Sequence, residues 1–323
     1  MDPQWEPALA EDSVEQTRAL LAQGLDPLDG GAKSAWARAL GSGHVRVLAS
    51  MRQWAKTNRK NSRNEKTLLK AAASGDLAKV EQLLAKVPAF VTVTKDMEED
   101  TSLHLAARHG HLEVLAALLD AGVPVDARNR RGLTPLMLAA RAPHPAIVQA
   151  LIDAGADLQV TCAFQAGVAV YAVASGDRAL VELVLEAGAD PNTAMVTGPL
   201  DAPNPGLLTA IAQGRQDLVE LLLDAGAEAV RAEQWNALST ASLFGKSELV
   251  RLLLARGLDP NESYGTGNLH RALQSKDVET VRLLLEAGAD PRQEDRFAGT
   301  PLAAANKAGL EAIAAMIEAA LEN

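Results

Sequence analysis

Short apolar segments alternate with polar turns along almost the whole chain, and glycine occurs in most of these turns. Six leucine-rich segments end in closely similar turns, at Gly122, Gly155, Gly188, Gly226, Gly257 and Gly288. The spacings between these glycines are 33, 33, 38, 31 and 31 residues. A period near 33 residues predicts a solenoid, in which each unit buries its apolar face only against its neighbours. Such a stack offers a long surface to a ligand rather than a deep pocket.

Residues 101–122 show the pattern of one unit most clearly, and they predict two short helices. Thr101 can cap the first helix through its hydroxyl group, and Gly110 separates the two helices. Gly122 ends the second helix, because glycine takes the left-handed conformation of a helix C-terminus freely. Helical spacing predicts that the apolar residues facing inward are Leu103, Ala106, Ala107, Leu112, Leu115, Leu118 and Leu119.

Three segments carry a resemblance to a known family. T-S-L-H-L-A (101–106), T-P-L-M-L-A (134–139) and T-P-L-A-A-A (300–305) resemble the T-P-L-H-x-A signature of ankyrin repeats. The resemblance implies an all-α ankyrin-repeat solenoid of about ten helix-turn-helix repeats with hairpin loops. Less regular copies occur at 13–24, 34–55 and 67–87, near Gly167, Pro205, Asn236 and Gly267, and at 300–321, where the chain lacks the closing glycine.

Three segments interrupt the repeats, and they suggest how the chain is divided. We predict degenerate N-terminal repeats and a basic linker in 1–66, and a main array with a C-terminal capping repeat in 67–323. Segment 51–66 is polar and basic, whereas the V-T-V-T within 87–100 alternates like a short strand. The three late prolines of 191–206 predict no regular structure there.

Composition narrows the classes of function. Aromatic residues make up only 3% of the chain, so a core built from its 48% apolar residues must be aliphatic. The net charge of −10 argues against general nucleic-acid affinity, which requires neutralisation of phosphates by Lys and Arg. Cys162 is the only cysteine, and the N-terminal residues do not resemble a signal peptide. We therefore expect a cytoplasmic protein.

Two features resemble functional signals but have simpler explanations. The uncharged residues 158–176 approach the length of a membrane span, yet they coincide with a loop and the first helix of a repeat. His104, His109, His111 and Glu113 could suggest a metal site. The histidines occupy repeat positions, however, where such side chains hydrogen-bond between neighbouring repeats. No phosphate-binding loop is present, and we predict no metal and no cofactor.

Residues outside the predicted core indicate where a partner binds. The ankyrin resemblance implies contacts through hairpin tips and exposed positions around the first helices, and Tyr and Trp are common interface anchors. Residues at these positions are Met97, Glu98, Arg130, Arg131, Arg141, Phe164, Trp235, Phe244, Tyr264 and Phe297. We predict a monomeric, non-catalytic module that binds another protein, as an adaptor or as an inhibitor of an enzyme or toxin. Each ring could instead pack against the adjacent hairpin.

Two other functions stay open at this point. Six cations in segment 51–66 could bind nucleic acid or an acidic partner, although Trp54 alone offers a ring for base stacking. An enzyme site could also be built into the groove or into segment 191–206, but no catalytic constellation is visible there.

Overall fold

The computed structural model describes residues 13–22, 51, 63–86, 96–196, 203–231, 235–262, 266–296 and 298–322. Within these residues the helices, in chain order α1 to α17, are Val14–Ala22, 63–74, Leu77–Lys86, Ser102–His109, Leu112–Asp120, Pro135–Arg141, Pro145–Asp153, Val168–Ser175, Arg178–Glu186, Gly206–Gln213, Gln216–Asp224, Ala237–Leu243, Ser247–Ala255, Asn268–Ser275, Val278–Glu286, Pro301–Lys307 and Glu311–Glu322.

The helices from residue 63 onward form antiparallel pairs, and each pair is one repeat. We call its members the first and the second helix. First helices pack against first helices of the adjacent repeats, and second helices against second helices. One continuous apolar core, from Leu68 to Ile317, lies between the two rows. The all-α solenoid predicted from the sequence is therefore confirmed.

Small side chains bring the first helices especially close together. Ala106, Ala107, Ala139 and Ala140 are fully buried, because each lies where two first helices meet. For most neighbouring repeats the first helices contact each other more closely than the second helices do. We use the term inner face for the hairpin tips together with the exposed ends of the first helices.

Helix ends in the 101–122 repeat follow the sequence prediction. The Thr101 hydroxyl accepts from the amide of His104, and the His104 ring accepts in return from the Thr101 amide. Gly110 and Gly122 have φ angles of 77° and 81°, in the left-handed region that glycine enters without steric cost. Capping and glycine placement thus define where each helix begins and ends.

Two details of the predicted repeats are wrong. Leu112 is 37% exposed, because it begins the second helix and points away from the stripe formed by Val114, Leu115 and Leu118. Residues 63–74 are helical, so this helix extends at least four residues before Thr67, where the third copy was predicted to begin.

Several predictions about the N-terminal part stay open. Val14–Ala22 is helical, in agreement with the first copy, but the copy at 34–55 lies outside the described residues except for Met51. The described residues from 63 to 322 form eight pairs, so the total of about ten repeats stays a prediction. The predicted division of the chain at residue 66 also stays a prediction, and residue 66 lies within the helical residues 63–74.

Segment 191–206 contains regular structure, contrary to the prediction. Strand β1 (Ala194–Val196) pairs antiparallel with β2 (Pro203–Pro205), with Met195 opposite Asn204. Prolines fit here because the ribbon has only two strands, and Asn204 is the one residue of β2 with a backbone N–H group to donate. A second ribbon joins β3 (Val230–Arg231) to β4 (Trp235–Asn236). The predicted strand at 91–94 lies outside the described residues.

The apolar segment 158–176 has the structure expected of a repeat. Residues 158–167 form a loop, and Val168–Ser175 is a first helix of 8 residues. Throughout the described ranges, every helix is too short or too polar to cross a lipid bilayer.

Candidate functional site

Histidines at the turns between helices connect neighbouring repeats. His111 Nε2 donates to the carbonyl of Ala73 at 3.0 Å, and His144 Nε2 donates to the carbonyl of Arg108 at 3.1 Å. Each ring occupies space beside a glycine of the preceding repeat, since a Cβ atom at Gly75 would lie 2.6 Å from His111 Nδ1. The His111 bond confirms the structural role predicted for the histidine of the G-H turn, and His144 makes the same connection from the Pro143–Pro145 turn that replaces this motif.

His104 makes a similar connection within the buried interior. Its Nε2 donates to the carbonyl of Leu133 in the next repeat at 2.9 Å, so Nδ1 is the acceptor for the Thr101 amide. Among the residues that the structure describes, no group of three or more His, Cys, Asp or Glu side chains is arranged to hold a metal ion.

An arginine takes over the connecting role two repeats after His144. Arg215 Nη1 donates to the carbonyl of Gly176 at 2.7 Å, and its Nε and Nη2 donate to the two carboxylate oxygens of Asp217. This hydrogen bonding lowers the pKa of Asp217. Stability from the pair is present above the ordinary carboxyl pKa and is lost as the pH falls through the lowered value.

Backbone hydrogen bonds join the hairpin tips into a continuous edge. The amide of Arg130 donates to the carbonyl of Glu98, and the amide of Ala163 donates to the carbonyl of Arg131, both at 2.9 Å. Across three consecutive repeats the exposed tip residues are, in order, Met97, Glu98, Glu99, Arg130, Arg131, Ala163, Phe164 and Gln165. The edge therefore has Met97 beside two glutamates at its first tip, two arginines at its middle tip and Phe164 at its third tip.

Beside this edge lies a groove between the fourth and fifth repeats, with a volume of about 390 Å³. We call it the arginine groove, and its lining residues are Glu98, Arg108, Asn129, Arg131, Leu133, Leu138, Arg141 and Ala142. One wall comes from the hairpins and the other from the C-terminal ends of the first helices α4 and α6. The lining thus combines three guanidinium groups with the apolar side chains of Leu133, Leu138 and Ala142.

A buried carboxylate holds one of the three arginines in place. The side chain of Asp100 has no exposed surface, and it accepts from Arg108 Nη2 at 2.6 Å and from Asn129 Nδ2 at 2.7 Å. The other end of the Asn129 amide accepts from the backbone amides of Arg131 and Leu133. This network shapes the hairpin and commits Arg108 to a structural contact.

Arg131 and Arg141 also influence a buried tyrosine next to the groove. The hydroxyl of Tyr171 lies 3.3 Å from Cys162 Sγ, and the side chain is 5% exposed. Burial, with a smaller contribution from the Cys162 contact, raises the pKa of Tyr171 above its ordinary value, while the charges of Arg141 and Arg131 act in the opposite direction. The phenol is therefore neutral at physiological pH.

The structure brings some of the predicted contact residues together. Glu98, Arg131 and Arg141 line the arginine groove, and Met97, Arg130 and Phe164 lie on the adjoining tips. Met97 and Phe164 are strongly exposed, at 87% and 42%.

The other four predicted residues lie in later repeats. Phe244 follows α12 and is 50% exposed, as its place at the end of a first helix predicts. Trp235 lies in β4, but its side chain, Tyr264 and Phe297 are outside the described part of the chain. A role in binding stays a prediction for all ten residues.

Sequence reasoning missed Arg108 and Asn129 as parts of the groove. Arg108 has the same place in its repeat as Arg141, seven residues after the capping threonine, so an alignment of the two repeats contained the necessary signal. Asn129 carried no such signal, because its contact with Asp100 joins residues 29 positions apart.

Comparison with known proteins agrees with this architecture. The family model described as "Ankyrin repeats (3 copies)" matches residues 35–129, 68–162, 103–195, 168–264 and 207–295, which together cover well over half of the chain. The chain therefore belongs to the ankyrin-repeat family. Ankyrin repeats are non-catalytic units that bind proteins, and this class of function applies to the array described here.

Similarity to individual relatives is confined to a small part of each sequence. The chain is 40% identical over 73 residues to the E3 ubiquitin-protein ligase XB3 of Oryza sativa subsp. japonica, covering 23% of this chain and 16% of the relative. It is 35% identical over 69 residues to the E3 ubiquitin-protein ligase XBAT32 of Arabidopsis thaliana, covering 21% and 14%. The chain thus spans about a sixth or less of the length of these relatives.

Proposed function

We propose that this chain is a non-catalytic scaffold that binds a partner protein along its inner face and acts as an adaptor or an inhibitor. The observation that carries the proposal is the continuous edge of exposed tip residues beside the arginine groove. These side chains are not needed for the aliphatic core, and they form one surface across three repeats. Methionine, aromatic residues and arginine, which this edge combines, are enriched in protein interfaces.

The chemistry of the groove supports binding rather than catalysis. Its lining contains arginine, glutamate, asparagine, leucine and alanine, and this set lacks a nucleophile next to a base. The ligase activity in the names of the plant relatives belongs to proteins of which only 14–16% is matched. We therefore propose for this chain the binding role of the repeats and not the ligase reaction.

Capture of partners by matched variants tests the proposal. Met97→Ser with Phe164→Ser removes the apolar anchors of the tips, whereas Val278→Ser removes an apolar side chain as exposed as Phe164 (44% against 42%) from a second helix. The tip variant should lose partner proteins that the wild type and Val278→Ser both retain from the native lysate. Circular dichroism must show equal helicity for all three chains. Retention by the tip variant and loss by Val278→Ser would place the binding surface on the second helices.

We also propose that the chain is monomeric and cytoplasmic. Cys162 is the only cysteine, so the chain has no intramolecular disulfide to maintain, which is compatible with a reducing compartment. Light scattering across a range of concentrations tests the monomer, which a rising mass would contradict. Fractionation of native cells tests the location, which enrichment in a membrane or extracellular fraction would contradict.

A further inference from the structure

Most of the charges that line the arginine groove are positive, whereas the chain as a whole is acidic. The whole chain carries a net charge of −10, yet three of the eight residues that line the groove are arginines and only Glu98 is acidic. At the position of Arg108 and Arg141, the sixth and seventh repeats have Ala174 and Ala212. Among these four repeats, an arginine occupies this position only in the fourth and the fifth.

Two of these arginines are free to bind a ligand. Arg108 is committed to the buried carboxylate of Asp100, whereas Arg131 and Arg141 are exposed. Neither guanidinium of the exposed pair has a hydrogen-bond or ion-pair partner among the residues that the structure describes. The planar guanidinium group binds a carboxylate through two parallel hydrogen bonds. Both groups therefore suit carboxylates that arrive from another molecule.

The order of residues along the hairpin edge predicts the order of apolar and acidic residues in a ligand. Met97 lies at one end of the edge and Phe164 at the other, with the arginines between them. Helices of adjacent repeats lie about 10 Å apart, so three tips span about 20 Å. An extended chain that rises about 3.3 Å per residue covers that distance with about six residues.

We propose that the arginine groove binds an extended acidic segment of a partner protein. Carboxylates of this segment contact Arg131 and Arg141, and apolar residues on either side contact Met97 and Phe164. This inference rests on the proposed function and adds the chemistry of the partner to it. Nucleic acid is less suitable, because Glu98 in the groove and the net charge of −10 of the chain disfavour a continuous row of phosphates.

Fluorescence anisotropy with defined probes tests the inference. The probe is the labelled peptide Leu-Gly-Glu-Asp-Glu-Gly-Leu, and its controls are the peptide Leu-Gly-Gln-Asn-Gln-Gly-Leu and a single-stranded oligonucleotide. Arg131→Gln and Arg141→Gln should each weaken binding of the acidic peptide about tenfold, the loss expected for a hydrogen bond to a charged group. Binding should also weaken as salt rises from about 0.1 M to about 1 M, which shortens the Debye length from about 10 Å to about 3 Å.

Arg251→Gln is the matched control, because Arg251 is an exposed arginine on a second helix. It should leave the affinity for the acidic peptide unchanged. Equal binding of the neutral peptide, tighter binding of the oligonucleotide, or equal losses in all three arginine variants would overturn the inference. If the tip variant Met97→Ser with Phe164→Ser still loses its cellular partner in that case, the proposed function stands and only the acidic segment is wrong. If that variant keeps its partner, both proposals fail.

Discussion

Gly267 and His270 allow a sharp test of the hydrogen bonding that joins the repeats. In the fourth repeat, Nδ1 of the equivalent His104 accepts from the Thr101 amide at 3.1 Å and lies 2.9 Å from the Thr101 hydroxyl. His270 makes the same Nε2 bond to the next repeat, at 2.9 Å. Its Nδ1, however, is buried and has no partner within the described residues, and the glycine at the position of the threonine supplies no hydroxyl group.

Gly267→Thr should complete this arrangement and stabilise the fold. The glycine has φ −62° and ψ 157°, a conformation that any residue adopts, so the new side chain brings no backbone strain. Satisfying the buried acceptor contributes about 1 kcal/mol, and the better helix cap adds a few tenths. Replacing glycine also lowers the entropy of the unfolded chain, worth about 0.4–1 kcal/mol.

The gain is partly offset by one close contact. A Cβ atom at position 267 would lie 2.6 Å from Gln293 Oε1, the end of a flexible side chain that must move aside. We expect a net increase of about 1–2 kcal/mol in the free energy of unfolding, on the scale of single hydrogen bonds and glycine replacements.

Urea unfolding combined with hydrogen exchange is the suitable assay. Repeat arrays can unfold in parts, so exchange at residues 268–286 reports the local effect that a global transition can hide. Gly267→Val has the same branched shape without the hydroxyl and is the matched control. Repeating Gly267→Thr in a His270→Ala background should abolish most of the gain. An equal gain for valine, or a gain that persists without the histidine, would refute the reasoning.

Three further predictions concern stability and titration. Gly110→Ala should lower the denaturant midpoint of the fold more than Gly122→Ala does. Both glycines have positive φ, but only at Gly110 would the new Cβ atom meet a histidine ring, at 2.8 Å. Equal losses would mean that backbone strain alone, about 1–2 kcal/mol, is the cause. Arg108→Met should cost about 2–4 kcal/mol because it leaves the buried carboxylate of Asp100 without its cationic partner. The cost should be much smaller in an Asp100→Asn background, which a double-mutant cycle measures. In a chain without the other tyrosine, near-ultraviolet absorbance titration should show Tyr171 ionising well above its ordinary pKa of 10.0. Because Tyr171 ionises at a lower pH in the unfolded chain than in the folded one, the free energy of unfolding should fall as the pH rises above 10.0. Titration of Tyr171 at its ordinary pKa would contradict its burial.

The repeat architecture was predictable because it depends on local pattern. Glycine spacing, threonine caps and apolar periodicity each act within one repeat, so a reading of residues 101–122 extends to the rest of the array. Errors arose where a neighbouring element decided the outcome. Leu112 has helical spacing but lies at the exposed start of its helix. The prolines at 203 and 205 were compatible with a strand because the paired segment leaves alternate positions free of hydrogen bonds.

For the candidate site, the sequence alone determined which residues are surplus to the core. Met97, Arg131 and Phe164 are at hairpin positions where an aliphatic solenoid does not require them. Only the tertiary structure decided which of these residues share one surface, and which arginine is already neutralised. That decision depends on Asp100 and Asn129, residues of successive hairpins that meet only when the repeats stack. Charge pairing is a property of distances across the stack, and the distance along the chain does not specify it.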